Sequence, residues 1–103
     1  MLKLLFDEGK ACPIFECEVC RRMIAVPHEG LVIWRDMNRH EQLAKTRAFY
    51  VHKGDRCEEI IRASMRDAPL DHQDLGAHLV ELCNNLDVDP KALTALRAKY
   101  QRT

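Results

Sequence analysis

Two short pairs of residues constrain the fold of this chain more than any other feature of its sequence. Cys17 and Cys20 form a C-x2-C pair in the string FECEVC, and His52 and Cys57 form an H-x4-C pair after a gap of 31 residues. Both spacings are typical of structural zinc sites, in which three thiolates and one imidazole commonly bind the ion. The sequence therefore predicts one zinc ion per chain, held by these four side chains.

Two further residues compete for the role of ligand. Cys12 lies five residues before Cys17, and His28 lies in a predicted turn. Pro13 restricts the backbone next to Cys12, which favours a strand residue over a ligand. A redox role for the C-x2-C pair fits less well, because thioredoxin-like pairs precede a helix in a β-α-β unit. We expect Cys83, on the apolar face of a helix, to lie in the core.

Composition is typical of a small single-domain protein. The chain has 103 residues, of which 47% are hydrophobic and only 6% aromatic, so a metal ion would help to stabilise its modest core. No run approaches the roughly 20 apolar residues of a membrane helix, and the opening is too short for a signal peptide. We therefore expect a cytoplasmic protein, in which an odd number of cysteines fits metal binding better than a disulfide framework.

The spacing of apolar residues predicts an α+β fold. Leu2, Leu4 and Phe6 alternate with other residues and indicate a strand, which turns and returns over residues 11–16. The remaining predicted elements are a hairpin made by residues 23–26 and 31–35, a strand over 47–52, a helix starting near Arg56 with Asp55 as its N-cap, a helix capped by Asp71, and a last helix opened by Asp89 and Pro90.

The second part of the chain is predicted to be a helical extension. Residues 1–67 would form the zinc-binding region, and residues 68–103 a helical pair that packs on it within a single cooperative domain. A segment of 36 residues is too small to fold alone. Four leucines at helical spacing predict the face that packs on the zinc core: Leu75, Leu79, Leu82 and Leu86.

The predicted order of a cysteine-bearing knuckle, a β-hairpin, a strand and a helix that begins at the last ligand resembles a treble-clef zinc finger. The strings CPIFECEVC, residues 12–20, and FYVHKG, residues 49–54, are similar to small uncharacterised bacterial proteins that carry such a finger. The resemblance covers roughly residues 11–66 and implies a small treble-clef core. Zinc knuckles often have glycine after the second cysteine, and Arg21 at that position predicts a strained turn.

A zinc ion with three thiolates and a neutral imidazole has a formal charge of minus one. Basic residues next to the ligands in the sequence would offset this charge as an outer shell. These residues are Arg21, Arg22, Lys53 and Arg56.

The predicted function is a non-catalytic binding or adaptor module whose zinc is structural. The sequence shows no activated nucleophile, paired carboxylates or phosphate-binding glycine loop. Because 16 basic and 16 acidic residues cancel, tight non-specific binding to nucleic acid is not expected, and a protein partner is favoured. The oligomeric state stays open. The alternative is a nucleic-acid-binding finger that uses Arg35, Arg39, Lys45 and Arg47, and a metal-dependent enzyme is a third class.

Overall fold

A computed structural model describes residues 1–36, 46–54, 56–66, 68–89, 91–92 and 95 of the chain. These residues form an α+β fold with a two-stranded sheet, a three-stranded sheet and two α-helices. The elements are β1 (Leu2–Asp7), β2 (Lys10–Phe15), a 3-10 turn (Pro27–Glu29), β3 (Gly30–Arg35), β4 (Phe49–His52), α1 (Arg56–Ser64), β5 (Leu70–Asp74) and α2 (Leu75–Asn85).

The predicted N-terminal hairpin is confirmed. Strands β1 and β2 pair antiparallel, from Leu2 opposite Phe15 to Asp7 opposite Lys10. The two residues of the turn, Glu8 and Gly9, have φ angles of 50° and 80°. Positive φ at both positions is what a type I′ turn requires, and this turn matches the right-handed twist of the strands that it joins.

Strand β3 forms the centre of the structure. It lies between β4 and β5 in an antiparallel sheet, while α2 packs against β3 and α1 packs against β4. Leu31, Val32 and Ile33 are each at most 3% exposed. Three consecutive buried residues are expected of a central strand with both faces covered, where the apolar pattern does not alternate.

The predicted partner of β3 was wrong. Residues 23–26 do not form a hairpin with β3; instead, Met23 makes an isolated bridge with Glu16 across the Cys17–Cys20 turn. Strand β3 pairs with β4, placing Leu31 opposite Val51. The tight turn carries residue 23 back onto the end of β2, and the 3-10 turn at Pro27 separates this segment from β3.

The predicted helix cap at Asp71 was also wrong. Residues 70–74 form β5, in which Asp71 lies opposite Trp34 of β3. Backbone pairing with the free side of β3 outweighs a weak local helix preference. Helix α2 begins at Leu75 and ends at Asn85. The predicted cap Asp55 lies outside the described residues, and so does most of the last helix predicted from Pro90.

The predicted leucine face of α2 packs on the core only at its N-terminal half. Leu75 is 2% exposed, and the half-buried Leu79 packs against the core cluster. Leu82 and Leu86 are 46% and 66% exposed. Cys83, which the sequence places in the core, is only partly buried. The three-stranded sheet is short, so it covers the N-terminal half of α2 and not the C-terminal half.

Gly30 allows α2 to approach β3 closely. A Cβ atom at Gly30 would lie 2.7 Å from Leu75 Cδ2 and 3.0 Å from Ile24 Cγ2. We expect Gly30→Ala to lower the free energy of unfolding by about 1–3 kcal/mol, because overpacking forces its neighbours to move. Gly76→Ala is the matched control: its Cβ would lie 3.6 Å from Pro27 Cβ, and alanine favours a helix. Chemical denaturation of the two variants tests this, and equal stabilities would contradict it.

Candidate metal centre

Four side chains with nitrogen or sulfur donors converge where the knuckle, β4 and α1 meet. Cys17 and Cys20 flank the tight turn, His52 is the last residue of β4, and Cys57 lies in the first turn of α1. Their donor atoms all lie within 4.8 Å of one another. All four predicted ligands are therefore close enough to hold one metal ion. Among the described residues, the competing candidates Cys12 and His28 do not belong to this group.

The turn between the first two cysteines is closed by backbone N–H groups that approach Cys17. The Arg21 N–H donates to the Cys17 carbonyl at 3.1 Å, and the Val19 N–H lies 3.4 Å from Cys17 Sγ. Arg21 has a φ angle of 64°, in the left-handed region that glycine adopts without cost. The strain predicted at this position is therefore present, at about 1–2 kcal/mol for a non-glycine residue.

The distances at the site suit tetrahedral zinc. Zinc–sulfur and zinc–nitrogen bonds of tetrahedral sites separate the two donors by about 3.6 Å, and Cys20 Sγ lies 3.4 Å from His52 Nδ1. If Nδ1 bound the metal, the ring proton would be on Nε2, which lies 3.4 Å from the carbonyl oxygen of Met23. A hydrogen bond from Nε2 to this carbonyl would orient the ring, as backbone carbonyls do in metal sites.

The thiols at the site do not ionise equally. Burial raises the pKa of Cys17, but the opposing effect is larger: hydrogen bonds from the backbone N–H groups of Cys20, Val19 and His52 lower it. The net result is a pKa of about 6. Burial raises the pKa of Cys57, and the nearby thiols of Cys17 and Cys20 raise it further, so that it reaches about 12 in total. A bound dication would stabilise all three thiolates, and metal binding would therefore release the protons of these cysteines.

The ligand set also limits what the site can do. Cys17 is fully buried and Cys57 is 8% exposed, whereas His52 is half-buried and Cys20 is exposed. If all four residues bound one zinc ion, their donors would fill its tetrahedral shell and leave no position for a substrate or a reactive water. An ion held by all four residues would therefore tie the knuckle, the end of β4 and the start of α1 together.

The basic residues predicted to offset the charge of the site are Arg21, Arg22, Lys53 and Arg56. The guanidinium of Arg21 lies 3.7 Å from the Glu16 carboxylate, and the ammonium of Lys53 lies 3.3 Å from Asp74. Both Arg22 and Arg56 are exposed. The Lys53 ion pair links the end of β4 to the start of α2, which is a structural role. The role of these residues in neutralising a bound metal stays a prediction.

Glu18, between the two cysteines, is an anchoring residue that the sequence reasoning missed. Its side chain is 8% exposed, and its carboxylate lies 3.2 Å from the Arg47 guanidinium and 3.3 Å from the Met1 amino group. Its backbone N–H donates to the Tyr50 carbonyl at 2.8 Å. Glu18 therefore ties the knuckle to β4 and to the N-terminal hairpin. The signal in the sequence that could have identified this residue was an acidic side chain between two predicted metal ligands.

The residues predicted for nucleic-acid contact do not form a described basic surface. Arg39 and Lys45 lie outside the described residues. Arg35 is exposed at the end of β3. Arg47 makes the ion pair with the knuckle carboxylate, and its guanidinium lies over the Phe49 ring, 4.4 Å from the centroid. Arg47 is therefore already engaged within the fold.

Comparison with protein-family models, with curated proteins and with solved structures finds no match to this chain. In the part of the chain that the structure describes, neither helix combines the length and the apolar character needed to cross a bilayer.

Proposed function

We propose that this chain is a non-catalytic, zinc-stabilised treble-clef module that binds another protein through its N-terminal hairpin. The donor set and distances of Cys17, Cys20, His52 and Cys57 support zinc. The order of elements supports the treble clef: a knuckle with two ligands, the β3–β4 hairpin, and a helix with the last ligand in its first turn. In this arrangement the zinc is structural, because its four ligands are all from the protein.

One observation carries the protein-binding role, namely an apolar face on the hairpin. Residues of one strand that alternate share a face of the sheet, and so do directly opposed residues on paired strands. The register of β1 and β2 therefore puts six apolar residues, and no polar one, on what we call the hairpin face: Leu2, Leu4, Phe6, Ala11, Pro13 and Phe15.

The hairpin face is accessible to a partner. Leu2, Leu4 and Phe6 are 65%, 61% and 72% exposed, while Phe15 at the base contacts Tyr50 with ring centroids 4.9 Å apart. The opposite face of the hairpin is mixed and carries Lys3, Asp7 and Lys10. A contiguous exposed apolar patch rimmed by polar residues marks an interaction site. This exposed apolar patch supports a protein partner.

Site-specific photo-crosslinking tests this proposal. A photoreactive phenylalanine analogue at Phe6 of the zinc-loaded protein, expressed in its native host, is expected to give adducts with protein. The matched control carries the analogue at Lys10, on the opposite face of the same hairpin, and is expected to give few adducts. Equal adducts at both positions, or adducts with nucleic acid at Phe6, would contradict the proposal.

We also expect weak binding to DNA and RNA at physiological salt. The net charge of zero provides no surplus of cations to release the counterions of a phosphate backbone. A gel-shift titration at two salt concentrations measures this. Submicromolar affinity that falls steeply with salt would favour the nucleic-acid-binding alternative instead.

A further inference from the structure

The geometry points to a second copy of this chain as the partner of the free edge of β1. The two β1 strands would pair antiparallel about a two-fold axis and join the hairpins into one four-stranded sheet. This inference rests on the proposed protein-binding role and deepens it, because pairing along the edge leaves the hairpin face open and doubles its width. The edge binds the second copy, and the joined faces bind the target.

The two edges of the hairpin differ in their capacity to pair. Within the described residues, β1 pairs with β2 alone, so each strand has one outer edge. Pro13 lies opposite Leu4 in the ladder and has no N–H to donate. Its nitrogen therefore lies on the outer edge of β2, where proline is a common means of preventing strand addition. Strand β1 contains no proline, so its outer edge can pair.

The backbone groups on the outer edge of β1 follow from the register. Opposed pairs in an antiparallel ladder alternate between those that exchange hydrogen bonds and those that do not. Asp7 and Lys10 flank the two-residue turn and form a hydrogen-bonded pair. Counting back along the ladder, Leu4 and Pro13 form a pair without hydrogen bonds, as the missing N–H of proline requires. The N–H and C=O groups of alternate residues of β1 therefore point away from β2. These residues are Leu2, Leu4 and Phe6.

Symmetric registers centred on any residue from Leu2 to Phe6 bring outward groups of the two copies together. Centred on Lys3, the two Lys3 residues would lie directly opposite each other, and centred on Leu2, Met1 would lie opposite Lys3. Centred on Leu5, Lys3 of each copy lies opposite Asp7 of the other, and Leu4 lies opposite Phe6. Centred on Phe6, Leu5 would lie opposite Asp7. Centred on Leu4, Lys3 would lie opposite Leu5, with the two lysines diagonal to each other. Opposite charges on directly opposed residues stabilise a sheet and like charges destabilise it, which selects the register centred on Leu5.

The free protomer also gives a reason for pairing. Lys3 and Asp7 are exposed, and neither has an ion pair among the described residues. A single two-stranded hairpin is marginally stable in water, whereas three or more strands with an apolar face gain stability. Pairing gives both charges a partner and gives each hairpin two more strands.

Charge exchange tests the inference. Sedimentation velocity of the zinc-loaded protein should show a dimer. Lys3→Glu or Asp7→Lys should each weaken dimerisation by about tenfold or more, because either substitution places two like charges directly opposite each other at positions 3 and 7. An equimolar mixture of the two variants should restore a dimer, because each variant then meets the opposite charge on the other. Unchanged zinc content verifies that the variants are folded. The inference would be overturned if the protein were a monomer at hundreds of micromolar, or if neither substitution changed the dimer dissociation constant.

A disulfide tests the register itself. In the register centred on Leu5, the two Leu5 residues form a pair without hydrogen bonds, with Cα atoms about 4.5 Å apart, within disulfide range. Leu5→Cys should therefore give a covalent dimer under a mild oxidant, in a background of Cys12→Ser and Cys83→Ala. The Cys12 substitution is needed because Cys12 lies opposite Leu5 within the hairpin. A covalent dimer from the matched Leu4→Cys variant instead would overturn the register.

The outcomes separate this inference from the proposed function. If the purified protein is a monomer but Phe6 crosslinks to a different protein, the dimer fails and the binding role stands. If the protein dimerises as described but Phe6 gives no adduct with another protein, the dimer stands and the role of the hairpin face in target binding fails. A monomer that crosslinks to nucleic acid would overturn both.

Discussion

Replacing Cys57 with serine is expected to release the metal and unfold the region that it ties together. Structural zinc contributes about 10–16 kcal/mol to folding at neutral pH, which is comparable to the roughly 5–15 kcal/mol of total stability of a typical domain. Cys57 is 8% exposed and lies in the first turn of α1, so its loss removes the link between that helix and the knuckle. Elemental analysis and circular dichroism of the purified variant measure the two effects, and Cys17→Ser should behave in the same way.

Two other cysteines provide matched controls. Cys12 and Cys83 are partly buried and, among the described residues, lie outside the donor cluster. Cys12→Ser and Cys83→Ala should therefore keep one zinc ion per chain and a native circular dichroism spectrum. The ligand assignment would be wrong if the unmodified protein contained no zinc, or if Cys12→Ser released it while Cys57→Ser did not.

Truncation of Leu75 is expected to have the second-largest effect. Leu75 is 2% exposed, where α2 packs over Gly30 of β3. Deleting a buried leucine side chain costs about 2–5 kcal/mol, including the cavity that is left. Leu82→Ala is the matched control on the same helix, since Leu82 is 46% exposed. We expect it to change stability by less than about 0.5 kcal/mol.

Urea denaturation of the two zinc-loaded variants compares these costs directly. The difference between the midpoints reports how far the packed part of α2 extends along the helix. If Leu82→Ala cost as much as Leu75→Ala, the C-terminal half of α2 would be buried in solution, and the surface described for this helix would be wrong.

The convergence of Cys17, Cys20, His52 and Cys57 is the feature that sequence reasoning predicted best. Each ligand pair is local: a two-residue spacing forms a tight turn, and a four-residue spacing joins the end of a strand to the first turn of a helix. The helix boundary at Arg56 and the first hairpin were predicted for the same reason, since turn residues and alternation act over a few positions. Arg21 is another local signal, and its φ of 64° shows the predicted strain.

The errors lie where one segment had to find a distant partner. Residues 23–26 and β3 each have an apolar pattern that suits a strand, but the pattern does not specify which strand lies beside which. Pairing of β3 with β4 and β5 depends on contacts between residues that are far apart in the sequence. Residues 70–74 form a strand because they pair with the side of β3 that β4 leaves free. Local preference at Asp71 is too weak to resist this.

Helical spacing likewise determined that Leu75, Leu79, Leu82 and Leu86 share one face of α2, while only the tertiary structure decided how much of that face is covered. Periodicity specifies a direction around the helix axis, but burial depends on the size of the sheet beneath it. The same reason applies to the hairpin: alternation in the sequence predicts a strand with an apolar face, and only the register of β1 with β2 shows six apolar residues gathered there, exposed to solvent.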